Sequence, residues 1–241
     1  MTEEVMTLAI STAALPEVAV VRDASEAAAA VAAGTGQALE SLVGLLEQCL
    51  GQLKGQPDDI TRVAVCTGPG SFTGLRIGVA FANAFAQARG LPVIGVSSYD
   101  VAEFGVAAFP RIAVIKGKVN HYYMRVRLDA AAAAQYTQGD GAQVQALIES
   151  VTGSSPRRPV VVGSGFGEPA AGEGARRVAL LSMAVVAEGQ EHRLRWTGAV
   201  IDYGQCPNAV ANFEKRDAAD QEGRPFQRRE PEADEGSAPL A

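Results

Sequence analysis

The chain has 241 residues, 47% hydrophobic and 20% charged, so it can bury a sizeable core and is not disordered throughout. Its net charge of −6 disfavours a stand-alone nucleic-acid-binding protein, because phosphate contacts need clustered Lys and Arg. Three widely spaced cysteines, Cys49, Cys66 and Cys206, predict neither a disulfide framework nor a zinc site and favour a reducing cytoplasm. No secretory signal or apolar run of about 20 residues is visible, so we expect a cytoplasmic protein without a membrane span.

The first fifty residues predict a hairpin followed by a helix. Apolar runs at residues 6–10 and 18–21, split by a turn signal, indicate two antiparallel strands. The alanine-rich segment 24–33 predicts a helix or a loop. Leucine and valine at spacings of three and four predict an amphipathic helix over 37–53.

The next stretch predicts a βαβ unit. A buried-type strand at 63–66 enters a glycine-rich loop, and a helix over 72–89 follows, ended by Gly90. A second strand at 93–96 leads into a helix from 97 to 107. This order implies a parallel strand pair with a right-handed crossover.

Phe109-Pro110 marks a boundary, after which the elements become shorter. They are predicted as strands at 112–115, 121–128 and 159–162, a loop at 129–141, and helices at 144–151 and 178–188. From residue 214 onward charges are dense and large apolar residues almost absent, which predicts a disordered tail.

The sharpest motif is GPGSFTGLRIG, residues 68–78. Its glycines permit positive φ or close backbone approach, and Ser71 is placed to cap the following helix. The free N–H groups of the first helical turn favour an anion, and Arg76 lies about one turn further on. The alternative is a plain tight connection between strand and helix.

Comparison with phosphate-binding motifs narrows the possibilities. No Gly-Lys-Ser/Thr follows at the Walker A spacing, and the last glycine falls one position too far on for a Rossmann fingerprint. A serine nucleophile elbow is absent because Ser71 stands one position too early. The only two histidines, His121 and His192, are far apart, so no self-contained metal site is predicted. His121 beside two tyrosines could stack on a base, although residues of this kind more often line a strand.

Taken as a whole string, GPGSFTGLRIG resembles the signature of the TsaB (YeaZ) family of bacterial ASKHA-superfamily proteins. The neighbouring segments agree with this resemblance: AISTA at 9–13, the helix over 37–53, and LPVIGVSSYD at 91–100. The match is clear over residues 8–103 and looser over 112–162.

The resemblance implies an α/β, two-lobed ASKHA (actin/Hsp70-like ATPase) fold with mixed sheets flanked by helices. It implies a first lobe at 1–108 carrying the dimerisation helices, a second, smaller lobe at 109–212, and the tail at 213–241. The family contributes to synthesis of threonylcarbamoyladenosine in tRNA. There TsaB is a non-catalytic subunit that pairs with TsaD, which carries the metal and transfers the threonylcarbamoyl group.

The resemblance also implies partners and ligands. We expect a TsaD-type subunit and a TsaE-type ATPase as partners, a homodimer in isolation, and contact with tRNA only through the complex. No catalytic or metal-binding residue and no cofactor is expected for this chain alone, while ATP or ADP at the partner interface stays open.

Two sets of residues are predicted to carry these contacts. The phosphate or partner loop comprises Gly68, Gly70, Ser71, Thr73, Gly74 and Arg76. The dimer interface comprises Leu39, Leu42, Val43, Leu46, Ile77, Phe81 and Phe85.

The chain departs from the family pattern at several positions. Ser11 stands where an ASKHA phosphate loop has a metal-supporting Asp, Lys116 and Lys118 replace part of an Asp-Ala-Arg segment, and His121 replaces a Glu. Two alternatives therefore remain: an ASKHA-type nucleotide-binding enzyme, such as a small-molecule kinase, and a homodimeric remnant without a tRNA role.

Overall fold

A computed structural model describes residues 5–22, 26–32, 38–166, 173–187 and 199–202 of the chain. Residues 1–204 group into one compact unit, and the second unit, 205–241, lies outside the described residues together with the predicted tail. The described ranges contain nine strands in two sheets and five α-helices.

The first sheet has five strands in the order β3-β2-β1-β4-β5. Strands β1 (Met6–Ser11), β2 (Glu17–Arg22) and β3 (Glu26–Val31) form an antiparallel meander in which β2 pairs with both of the others. Strands β4 (Arg62–Gly68) and β5 (Val93–Ser97) continue the sheet in parallel beyond β1. The predicted hairpin and the parallel pair of the βαβ unit are therefore confirmed.

Strand β3 corrects the prediction of a helix or loop over 24–33. Its six residues pair with β2, and Ala28 and Ala30 are buried while Ala27 and Ala29 face solvent. Alanine favours helices in isolation, but here pairing with the neighbouring strand outweighs that weak local preference.

Helices cover both faces of the first sheet. Helices α1 (Ala38–Leu53) and α2 (Phe72–Arg89) pack on one face, in a core that contains Leu8, Val20 and Val65. Both match their predicted ranges, because their apolar spacing and end signals are local. Gly90 ends α2 in the left-handed conformation with φ of 66°.

The opposite face of the first sheet is covered by α3 (Ser98–Glu103) and α5 (Glu173–Ala187). Helix α3 ends four residues before its predicted end, where Gly105 turns the chain with φ of 80°. Helix α5 begins earlier than predicted, and the Glu17 carboxylate accepts a hydrogen bond from the Ala175 N–H at 3.0 Å. That contact satisfies one of the free amides at the start of the helix.

The second sheet has four strands in the order β8-β7-β6-β9. They are β6 (Arg111–Lys116), β7 (Tyr122–Arg127), β8 (Gln135–Gly139) and β9 (Val160–Gly163), with α4 (Gly141–Ser154) packed on one face. The order repeats that of β3-β2-β1-β4, with the helix again placed before the fourth strand.

Strand β8 corrects the predicted loop over 129–141. It is a polar edge strand that pairs antiparallel with β7, and its residues 135–138 are exposed. Its sequence does not alternate between apolar and polar residues, so its pairing with β7 could not be predicted from the sequence.

Helix α3 lies between the two sheets. Its Val101 packs in the core of the first sheet, whereas Tyr99 and Ala102 pack against Ala113 and Tyr123 of the second. Helix α5, which the sequence assigned to the second lobe at 109–212, packs instead on the first sheet. The lobe boundaries themselves stay a prediction.

Both described cysteines are buried thiols. Burial raises the pKa of Cys49 to about 11, and it raises that of Cys66 although the Ser98 hydroxyl, 3.1 Å from its Sγ, acts to lower it. We expect neither to react with iodoacetamide at about pH 8 in the folded protein, because the thiolate is the nucleophile. Peptide mapping by mass spectrometry after brief labelling checks this.

The denatured chain is the control and should be labelled at both cysteines. In the unfolded chain the thiols ionise at about pH 8.5, below their pKa values in the folded chain. The free energy of unfolding is therefore unaffected by these thiols below about pH 8.5 and falls as the pH rises toward the folded-state pKa values. Labelling of folded Cys49 at the rate of the denatured chain would contradict the buried placement.

Candidate functional site

The GPGSFTG loop connects β4 to α2 as a tight turn with a cis Gly68-Pro69 peptide. Ser71 caps the helix, because its Oγ accepts a hydrogen bond from the Gly74 N–H at 3.2 Å. The Ser71 N–H donates to the carbonyl of Ala13 at 2.8 Å. The predicted cap is therefore confirmed, and two amides of this turn are bonded within the chain.

The motif glycines are required by a close approach of the β1–β2 turn. A β-carbon at Gly70 would lie 2.8 Å from the carbonyl oxygen of Ala13. At Gly74 it would overlap the carbonyl oxygen of Thr12, and at Gly78 the Thr12 hydroxyl. Helix α2 therefore presents a notch, lined by Gly74 and Gly78, into which Thr12 fits.

This notch explains the spacing of Gly74 and Gly78, whereas the sequence alone indicates a tight turn or a phosphate-binding site as the reason for the motif glycines. Positions 74 and 78 are four residues apart and so lie on one face of α2. Thr12 is 1% exposed, which shows how completely the notch encloses it. The loop is thus fastened to the β1–β2 turn, while its assignment to phosphate or partner binding stays a prediction.

The exposed corner of the loop combines an aromatic ring with a cation. The Arg76 guanidinium lies 3.9 Å from the centre of the Phe72 ring, a cation–π contact. Phe72 is 46% exposed, and Thr73 is exposed beside it. Leu15, on the β1–β2 turn, is 40% exposed. Arg76 and Phe72 therefore present a surface of mixed apolar and positive character.

The predicted dimer interface is narrowed by the structure. Leu42 and Leu46 pack in the chain's own core, because α1 turns that face toward β2 and β3. Val43 is 48% exposed. The side chain of Leu39 lies outside the described part of the chain.

On α2, the three predicted interface residues are partly buried along the core's edge. They are Ile77, Phe81 and Phe85. The rings of Phe81 and Phe85 stack with centres 6.3 Å apart. The interface stays a prediction, with Val43, Ile77, Phe81 and Phe85 at least partly exposed and Leu42 and Leu46 buried in the chain's own core.

A buried ion cluster joins α3 to the second sheet. Glu103, with a side chain only 4% exposed, accepts a hydrogen bond from Arg125 Nε at 2.8 Å and pairs with Arg111 Nε at 2.7 Å. Arg127 lies 3.9 Å away, and Arg125 also binds Asp100 at 2.7 Å. Burial acts to lower the pKa of Arg125, but the two carboxylates outweigh it and raise that pKa.

Sequence reasoning missed this cluster. Arg111, Arg125 and Arg127 lie at or near predicted strands whose other residues are largely apolar and indicate burial. Because buried arginines need acidic partners, these positions were the signal in the sequence for an ion cluster. The partner carboxylates come from α3, which precedes the second sheet. Nothing local in the sequence pairs them.

The positions that depart from the family pattern differ in their exposure to solvent. Ser11 is buried at the end of β1, whereas Lys116, at the end of β6, and Lys118, on the β6–β7 turn, are exposed. His121, directly before β7, packs edge-on against Tyr123, with ring centres 5.0 Å apart. His192 lies outside the described residues. Within the described ranges, no three His, Cys, Asp or Glu side chains group to hold a metal.

Comparisons with known proteins agree with this fold. A family model for TsaD, described as tRNA N6-adenosine threonylcarbamoyltransferase, matches residues 36–139. The structure of YeaZ from Pseudomonas aeruginosa superposes with a TM-score of 0.57 at 18% identity, covering 77% of this chain and 94% of that one. The chain therefore has an α/β fold of two mixed sheets flanked by helices, similar to the fold of YeaZ.

Sequence relatives point more narrowly. The tRNA threonylcarbamoyladenosine biosynthesis protein TsaB of Bacillus subtilis is 36% identical over 64 residues, 27% of this chain and 26% of the relative. An uncharacterized protein of Mycobacterium leprae is 34% identical over 113 residues, 46% of this chain and 31% of the relative. These findings confirm the resemblance to the TsaB (YeaZ) family.

The extent of these matches is limited. The chain spans about a third or less of the length of the curated relatives it matches. Among the described residues, no helix is both long and apolar enough to cross a bilayer.

Proposed function

We propose that this chain is a non-catalytic scaffold and activator subunit in the synthesis of tRNA threonylcarbamoyladenosine, acting with a TsaD-type catalytic subunit. The observation that carries the proposal is the similarity to TsaB in sequence, joined to a fold similar to that of YeaZ. The buried Ser11 supports a non-catalytic role, because a serine hydroxyl replaces the carboxylate that would hold a nucleotide-bound metal. A TsaE-type ATPase completes the complex, and tRNA is contacted through it.

The surface proposed to bind the partner comprises the exposed side of α1 at Val43, the flank of α2 at Ile77, Phe81 and Phe85, and the loop corner at Phe72 and Arg76. Aromatic and aliphatic side chains that are partly exposed at the edge of a core are typical of interface centres. In isolation the same surface would support a homodimer, so the two assemblies compete for it.

A charge placed on this surface should weaken partner binding. Val43→Glu is expected to lower affinity for the TsaD-type subunit by about tenfold or more, because a carboxylate would be desolvated at the interface. Arg76→Ala should cause a smaller loss of about twofold to tenfold by removing the cation from Phe72. Calorimetric titration of the purified subunits measures both.

The matched control is Val119→Glu, the same change at a valine that is 91% exposed on the β6–β7 turn. It should leave affinity unchanged. Both glutamate variants should keep the thermal stability of the parent, since neither valine is in the core. Equal affinities for Val43→Glu and the parent would refute the assignment of this surface.

A further inference from the structure

Residues 199–202 pack on the first sheet and α2, far in sequence from the described residues that they contact. Ala199 and Ile201 pack against the core beneath α2, while Val200 between them is 77% exposed. This alternation is that of an extended strand with one face on a core. The 199–202 segment is thus docked on the first sheet.

Asn83 of α2 holds the segment at its start. Its side-chain Nδ2 donates to the Ala199 carbonyl at 3.1 Å, and its Oδ1 accepts the Ala199 N–H at 2.8 Å. An amide side chain that satisfies both backbone groups of one residue acts as a strand partner would. The contact therefore fixes both position and direction of the segment on α2.

The end of β4 holds the segment at its other end. The β4–β5 pairing shifts register between Cys66 and Gly68, and the carbonyl of the intervening Thr67 accepts the Asp202 N–H at 2.8 Å. Gly68, with φ of 108°, comes so close that a β-carbon would overlap the carbonyl oxygen of Asp202. The first glycine of the motif is therefore fitted to this segment.

Helix α2 is held on one flank by the contact between Asn83 and Ala199. Each helical residue turns the chain by about 100°, so Asn83 lies about 200° round the helix from Phe81. Ile77, Phe81 and Phe85 thus lie on the side of α2 away from the 199–202 segment, whereas Arg76, seven residues before Asn83, lies on the same side as Asn83. Burial raises the pKa of Tyr99 and Tyr123, and the Asp202 carboxylate adds to both shifts, which agrees with the segment ending beside the second sheet.

We propose that the 199–202 segment, held by Asn83, is a positioning element of the partner surface. It keeps α2 and the GPGSFTG loop in the orientation that the partner binds. This inference rests on the proposed function for its biological role. Its structural part concerns only how the segment orders α2 and the loop.

Two substitutions test the contact from its two sides. Asn83→Ala removes both hydrogen bonds while keeping a strong helix former, and Ile201→Ser removes the apolar anchor of the segment. Val200→Ser is the matched control, because it changes a neighbouring β-branched residue that faces solvent. Hydrogen exchange of the Asp202 amide and of amides 70–75 is measured in the full chain, together with affinity for the TsaD-type subunit.

We expect Asn83→Ala and Ile201→Ser to speed exchange of the Asp202 amide and of amides 70–75, and to weaken partner binding by about threefold to tenfold. Val200→Ser should change neither. Faster exchange with unchanged or tighter partner binding would overturn the positioning role. If the parent chain bound no TsaD-type subunit, the proposed function would fail, and hydrogen exchange alone would test the inference. Unchanged exchange of amides 70–75 in Asn83→Ala and Ile201→Ser would then overturn it.

Discussion

Replacing Glu103 with alanine is expected to lower the free energy of unfolding by about 3–5 kcal/mol, because it leaves buried guanidinium groups without their carboxylate. Arg125, with a side chain 4% exposed, and Arg111, with one 11% exposed, both lie within 2.8 Å of Glu103. Urea unfolding followed by circular dichroism measures the change. The loss should be large because the cluster joins α3 to the second sheet.

Asp100→Ala is the matched control on the same helix. Asp100 binds the same Arg125 but is 44% exposed, so its loss should cost about 1 kcal/mol or less. Equal effects of the two substitutions would show that burial of Glu103 does not govern the cluster. The account would then be wrong about what holds α3 against the second sheet.

Replacing Gly78 with alanine is expected to destabilise the chain by about 1–3 kcal/mol, because the new methyl group would overlap the Thr12 hydroxyl. The hydroxyl belongs to Thr12, which is buried at the end of β1, so relief of the overlap requires α2 to shift on the sheet. The same unfolding measurement applies, and partner affinity should fall with it because the GPGSFTG loop moves with α2.

Gly44→Ala is the control for the intrinsic effect of alanine in a helix. A β-carbon at Gly44 in α1 meets nothing within 4 Å, so this variant should gain about 0.5–1 kcal/mol. Adding Thr12→Ala to Gly78→Ala removes the overlapping hydroxyl and should recover much of the loss. A stabilised Gly78→Ala variant would contradict the notch.

The features that the sequence predicted well are encoded locally. Helices α1 and α2 follow from apolar spacing, and the caps at Ser71 and Gly90 follow from residue type at a helix end. The βαβ unit follows from the order of these elements. Each depends on residues within about one element of the feature.

The missed features depend on distant pairing. Strands β3 and β8 form by pairing with β2 and β7 respectively. Neither sequence alternates between apolar and polar residues, so neither strand was predicted. Glu103 acquires its role from arginines on strands that follow it. The motif glycines are visible in the sequence, but the residues that approach them are not. Thr12 lies over 50 residues before Gly74 and Gly78, and Asp202 lies over 120 residues after Gly68. Close approach of distant backbone cannot be read from spacing.

Helix α2 takes part in both sets of contacts. Its notch fastens the GPGSFTG loop to the β1–β2 turn, and its Asn83 fastens the 199–202 segment. On the side of α2 away from that segment lie Ile77, Phe81 and Phe85, which are part of the surface proposed to bind a partner. A scaffold needs a surface of fixed shape more than a reactive centre, and preorganisation of that surface limits the entropy lost on binding.

The most direct test of the proposed role is mass spectrometry of tRNA nucleosides after depletion of this protein from its own cells. The account predicts loss of threonylcarbamoyladenosine, restored by the parent chain and by Val119→Glu but not by Val43→Glu. Unchanged threonylcarbamoyladenosine after depletion would contradict the role in tRNA modification.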